Sequence, residues 1–110
     1  MIFSALRKIR EFERAQLPFV RSLVDLDIII EIGYAEEHES PLSPKQLFLL
    51  NLSSKPTVRR RLAKLVKQGI VERRPNPNDQ RSTVLTVAPD SIELFGRYGA
   101  TLATVCADLG

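Results

Sequence analysis

The stretch from Ser43 to Gly69, SPKQLFLLNLSSKPTVRRRLAKLVKQG, decides how this chain is read. Ser43 stands three residues before Gln46, the spacing at which a serine hydroxyl and a glutamine amide satisfy each other's free N–H groups at a helix start. Pro44 falls where a missing N–H costs little. A short helix is therefore expected here, with Leu47, Leu49 and Leu50 as its buried face. Asn51 and Leu52 make a turn. A second serine cap, Ser53 or Ser54, opens a helix running to about Gln68, and Gly69 is placed to end it in the left-handed conformation. Two capped helices joined by three or four residues form a candidate helix-turn-helix.

The surroundings fit one small domain. The chain has 110 residues, 44% hydrophobic and 26% charged, which suits a single core and excludes wholesale disorder. Ile2, Leu6, Ile9 and Phe12 recur at helical spacing over Ile2 to Gln16, before Pro18 interrupts. A longer helix follows from about Arg21 to Glu37. Leu23, Leu26, Ile30 and Tyr34 share one face of it, with Ile28, Ile29 and Ile32 widening the apolar surface. After Gly69 come two β-type runs, Ile70 to Arg74 and Ser82 to Val87. The turn-rich segment from Pro75 to Arg81 joins them, as in a hairpin. Pro89-Asp90-Ser91 starts a last helix whose stripe is Ile92, Phe95, Leu102, Cys106 and Leu109. The expected fold is mainly α with a small β-hairpin. Residues 1–110 form one domain, with residues 21–89 its core and residues 1–20 and 90–110 its terminal helices.

Charge is segregated along the chain. Residues 53–81 hold nine basic and two acidic side chains, a balance of +7, whereas the remainder has seven basic and eleven acidic, a balance of −4. Solubility does not require such a division; a polyanionic partner does. At about 100° per residue, Val58, Leu62, Leu65 and Val66 gather on one side of the second capped helix. Thr57, Arg60, Lys64 and Lys67 lie opposite, with Arg59 and Arg61 on the flanks. Side chains near the start of such a helix are the ones that reach base edges in a major groove. Thr57, Arg60, Arg61 and Lys64 are accordingly the base-reading candidates, since arginine forks onto guanine and a threonine methyl meets thymine. Ser54, Lys55, Pro56 and Arg59 complete the helix's share of the interface. Arg73, Arg74 and Gln80 join them from the hairpin, the flanking cations meeting phosphates.

The ordered set Leu42-Ser43-Pro44-Lys45-Gln46-Leu47, Leu52 to Leu62 and Leu65 to Arg74, followed by Asn76-Pro77-Asn78-Asp79-Gln80-Arg81-Ser82, resembles the winged-helix domain of the MarR family of bacterial transcription regulators. The resemblance covers about residues 25–90. It implies a sequence-specific double-stranded DNA-binding regulator, acting as a homodimer on an inverted repeat. The helix at residues 54–68, which carries the family's Thr-Val-x-Arg motif as Thr57, Val58 and Arg60, would lie in the major groove. The wing at 75–81 would send Arg81 into the minor groove, with Asp79 orienting it. In the family the terminal helices build the dimer and a cleft for small-molecule effectors. This chain departs from the pattern: Val87 to Ser91 replaces the usual segment after the wing, and about twenty residues follow. A small-molecule effector is among the partners that the resemblance implies, and the departure falls on the helices that would hold it.

Other classes fit less well. No phosphate-cradling glycine loop, nucleophile elbow or metalloprotease motif occurs, so no enzyme, cofactor or metal is expected. One cysteine excludes an internal disulfide and a cysteine-ligated zinc, and Cys106, on an apolar stripe, reads as a buried inert thiol. His38 reads as a solvated helix end. Asp25, Asp27 and Glu31 interrupt the longest apolar run, so no membrane span is expected, and a cytoplasmic, nucleoid-associated location follows. The alternative function is a winged-helix module docking an acidic protein; Asn76 to Arg81 suits a DNA groove better than a protein surface.

Overall fold

The computed structural model describes residues 1–109, which form α1 (Ile2–Gln16), α2 (Leu23–Glu37), α3 (Pro44–Leu49), α4 (Lys55–Lys67), β1 (Val71–Asn76), β2 (Asp79–Val87) and α5 (Pro89–Leu109). These elements fall into two compact units, one from residues 21–88 and the other from residues 1–20 with 89–109. Among the described residues no helix is long and apolar enough to cross a membrane.

In the central unit, local chemistry sets each boundary. Ser22 caps α2, its hydroxyl accepting the Asp25 N–H while the Asp25 carboxylate accepts the Ser22 N–H. Ser43 and Gln46 close the same reciprocal box on α3. Asn51, with φ of 56°, makes the turn between the two capped helices, a left-handed position that asparagine tolerates. Ser54, rather than Ser53, caps α4. Gly69 ends the run with φ of 74°, and the N–H groups of Gly69 and Ile70 return to the carbonyls of Val66 and Leu65.

The buried side chains of this unit come from every element: Ile28, Ile29 and Ile32 of α2, Leu47 of α3, Val58, Leu62 and Leu65 of α4, Val71 of β1, and Val84, Leu85 and Val87 of β2. α2 packs on α4, on β2 and on α3. Two polar contacts pin the sheet to its neighbours. The Leu85 N–H donates to the Leu42 carbonyl at 2.8 Å, and the Val87 N–H donates to Glu36 Oε1 at 3.0 Å.

Three expectations are corrected here. The interior face of α2 carries Ile28, Ile29 and Ile32 together with Asp25, while Leu23, Ile30 and Tyr34 are exposed. This helix is apolar on nearly every side, so spacing alone does not choose its seam. Leu49 and Leu50 are exposed as well, leaving Leu47 as the buried anchor of a six-residue helix too short to bury more than one narrow face. The strands also run further than expected, leaving only Pro77 and Asn78 between them. The antiparallel register pairs Val71 with Val87 through Pro75 with Thr83, then shifts so that Asn76 meets Asp79. Asn76 holds that tip: its Oδ1 accepts the Asn78 N–H at 3.0 Å and its Nδ2 donates to Ser82 Oγ at 3.2 Å. Pro75 is tolerated because a two-stranded ribbon has a free edge on each strand.

In the other unit α1 packs on α5. The rings of Phe12 and Tyr98 stack with centroids 5.6 Å apart. Tyr98 Oη donates to Glu13 Oε2 at 2.5 Å; burial and that carboxylate push the phenol up to about 12. Ala5, Leu17, Ser91 and Val105 are buried. Ile2, Phe3 and Leu6 of α1 and Ile92, Leu102 and Leu109 of α5 remain exposed, Phe3 at 81%. Cys106 is exposed too, correcting the expectation of a buried thiol; α5 turns Val105 inward instead.

The left-handed turn yields a test. A methyl group on Gly69 would meet nothing within 4 Å, so Gly69→Ala carries backbone strain alone. Urea denaturation should show it destabilised by about 1–2 kcal/mol with an unchanged denaturant slope.

Candidate nucleic-acid interface

The interface is built on α4. Ser54 Oγ accepts the Thr57 N–H at 3.4 Å and donates to Thr57 Oγ1 at 2.8 Å, which holds the first turn closed. Lys55 and Pro56 are exposed in that turn, and Thr57 is half-buried. Beneath, Val58, Leu62 and Leu65 sit in the core at 0–1% exposure. Their burial fixes which residues look outward: Arg60, Lys64 and Lys67, all exposed. Among the described residues none of these three has a carboxylate within 4 Å, in contrast to Arg61, Arg74 and Arg81. Their field is thus uncompensated locally.

The two flanking arginines turn back toward the scaffold. The Arg59 guanidinium lies 5.7 Å from the centre of the Phe48 ring in α3. Arg61 closes on Asp25 of α2, with Nε to Oδ1 at 2.5 Å and Nη2 to Oδ2 at 2.9 Å. Arg61, placed on the flank by its helical position and named as a base-reading candidate, is thus turned toward α2.

Asp25 is wholly buried. Its Oδ2 also accepts the N–H groups of Arg21 at 2.7 Å and Ser22 at 3.0 Å. Burial pushes the carboxyl group's pKa up, but the hydrogen bonds from Arg61, Arg21 and Ser22 and the guanidinium charge outweigh it and hold the group below its ordinary value. Arg61 is correspondingly raised, chiefly by the bond to Asp25. Neither Asp25 nor Phe48 was among the sequence-derived candidates. The signal for Asp25 was present in the Ser22-x-x-Asp25 spacing and in a carboxylate set among Leu23, Leu26, Ile28 and Ile29, where an ionised group needs a cation. Phe48 carries no comparable signal.

The hairpin supplies the second patch. Arg73, Arg74, Gln80 and Arg81 are exposed. Arg74 pairs with Glu72 at 2.8 Å. Asp79 Oδ1 accepts the Arg81 backbone N–H at 3.1 Å and stands 3.6 Å from its Nε. The Arg81 side chain is 94% exposed, so it projects from the tip rather than folding onto the sheet.

Comparison with known proteins closes on the same segment. The model of the MarR family matches residues 21–82, more than half of the chain. The chain belongs to the MarR family. Its fold is that of the MarR-type winged-helix transcription regulators, mainly helical with a two-stranded antiparallel wing. A mutant of MepR from S. aureus superposes with a TM-score of 0.68 at 16% identity, covering 99% of this chain and 77% of that one. Regulator Tm0710 from Thermotoga maritima gives 0.62 at 24% identity, with 96% and 74% covered. A mutant of MarR from E. coli, complexed with operator DNA, gives 0.60 at 20% identity, with 98% and 76% covered. Among curated proteins no relative matches.

In this MarR-family chain the Asp25–Arg61 pair predicts a particular dependence on acid. A carboxyl group held below its ordinary value of 3.8 contributes stability above that value and loses it as pH falls through the lowered one. At neutral pH, Asp25→Asn should cost about 2–4 kcal/mol, because it strands a partly buried guanidinium. Urea midpoints measured at successively lower pH should show the gap between wild type and variant closing below about pH 4.

Proposed function

We propose that this chain is a sequence-specific double-stranded DNA-binding regulator that acts as a homodimer on an inverted repeat. The observation that carries the reading is the outward face of α4, where Arg60, Lys64 and Lys67 stand exposed without a carboxylate partner among the described residues. In this reading α4 enters the major groove. Thr57 and Arg60 meet base edges, and Ser54, Lys55, Pro56, Lys64 and Lys67 lie along the phosphates. The wing tip places Arg81 in the flanking minor groove, with Asp79 holding its backbone, and Arg73, Arg74 and Gln80 alongside. The operator-bound structure of E. coli MarR supports duplex DNA as the partner class.

Residues 21–89 serve as the DNA-binding core and the terminal helices as the dimer element. Support for the latter is the exposed apolar set on α1 and α5, including Ile2, Phe3, Leu6, Ile92, Leu102 and Leu109. Apolar surface of this kind is covered at low cost by a second copy related by a two-fold axis. A symmetric dimer would read half-sites about one helical turn apart.

Anisotropy titrations test the assignment, using a duplex enriched from a random pool by the wild-type chain and a scrambled control. Log K should fall with log salt at a slope near −7 if a dimer neutralises about 8 phosphates. Arg60→Ala should cost about 1–3 kcal/mol per half-site on the enriched duplex and little on the control. Lys67→Ala should weaken both duplexes alike and lower the slope by about 1 per protomer. An Arg60→Ala variant with an unchanged sequence preference would contradict the reading of this face.

A further inference from the structure

Three consecutive arginines on one helix cannot face one partner. At about 100° per residue, Arg59, Arg60 and Arg61 are spread over much of the circumference of α4. The outer two are already engaged, Arg59 against the Phe48 ring of α3 and Arg61 in a two-point contact with the Asp25 carboxylate of α2. α4 is thus gripped from both flanks, with the apolar seam of Val58, Leu62 and Leu65 beneath it and Arg60 left outward between them.

The grip matters because an apolar seam constrains roll poorly. Burial of apolar area has no direction, and helices packed ridge into groove scatter by about 15–20° around their preferred angles. A guanidinium tip about 10 Å from its helix axis moves roughly 1.7 Å for a 10° roll, more than a hydrogen bond to a base tolerates. A two-point pair between a guanidinium and a carboxylate is far stiffer, since both contacts must hold at once. Here the carboxylate is itself fixed by two backbone N–H groups at the start of α2. We infer that Asp25 and Arg61 are a positioning pair that sets the roll of α4, and through it the sequence preference carried by Arg60, with neither residue touching DNA. The inference rests on the DNA-binding reading above. Asp25, at 0% exposure, acts through Arg61 and has no route to a ligand of its own.

The experiment compares Arg61→Lys, which keeps the charge but loses the fork, with Asp25→Asn, which keeps a cap acceptor but loses the charge. Anisotropy is measured on the wild-type-enriched duplex and on its scrambled control, with melting curves to monitor folding. Each variant should lose about tenfold or more of the preference between the duplexes, the worth of one mis-aimed bidentate base contact. Affinity for the control and the salt slope should stay unchanged. The double variant should lose no more than the worse single one. Preference retained in either single variant overturns the inference. So does an Arg61→Gln variant that weakens both duplexes equally with a slope lower by about 1 per protomer, because that marks a phosphate contact. Should Asp25→Asn be unfolded at the assay temperature, Asp25→Leu combined with Arg61→Met strands no charge. In that double variant a reduced preference supports the pair's role and a full preference refutes it. If wild type selects no sequence at all, the DNA-binding reading fails before any variant is made, and the inference falls with it.

Discussion

The Asp25 carboxylate, sealed from solvent, is the point on which the central unit turns. It accepts two backbone N–H groups at the start of α2 and two guanidinium N–H groups from α4. The backbone bonds complete the cap that begins α2; the guanidinium bonds tie that helix to the next but one. Burying an unpaired carboxylate would cost more than the surrounding isoleucines return, so the ion and its donors must be assembled together. The same contact removes Arg61 from the basic face and leaves a narrower outward set.

That set has an electrostatic consequence. Nine basic residues lie between positions 53 and 81, yet the structure does not spend them alike. Arg61, Arg74 and Arg81 have carboxylates within 4 Å, and Arg59 lies over an aromatic ring. Arg60, Lys64 and Lys67 stay open on one side of one helix, Arg60 near its middle and the two lysines in its last turn. Under the proposed function this division separates residues that orient the reading helix from residues that meet the polyanion. An uncompensated cluster of this kind also raises the rate of encounter with DNA, an effect that salt suppresses.

Much of this was legible in the sequence, for identifiable reasons. α1 was placed at its observed bounds, and the cap at Ser43, a second cap at Ser53 or Ser54 and the stop at Gly69 were readable because each rests on chemistry within four residues; the structure chooses Ser54. The outward face of α4 followed from its strong apolar periodicity. α2 hid its seam, because an all-round apolar helix offers several equivalent stripes and the choice depends on partners distant in sequence. The wing was expected as a longer loop, since Pro75 and Pro77 read as breakers while the side chain of Asn76 supplies the turn instead. The Asp25–Arg61 contact spans 36 positions and was invisible to local spacing. Cys106 was misplaced for a related reason: a stripe of apolar residues on α5 does not say which of them the same chain covers.

Under the proposed function the exposed face of α4 recognises a DNA sequence through a two-fold pair of chains. The most direct test is selection of binding sites by the wild-type protein from a random duplex pool at near-physiological salt, where non-specific phosphate attraction is weakened. The expected result is enrichment of an inverted repeat whose half-sites are centred about one helical turn apart. An unenriched pool, with binding that disappears as salt rises, would contradict it and turn attention to an acidic protein as the partner of the same basic face.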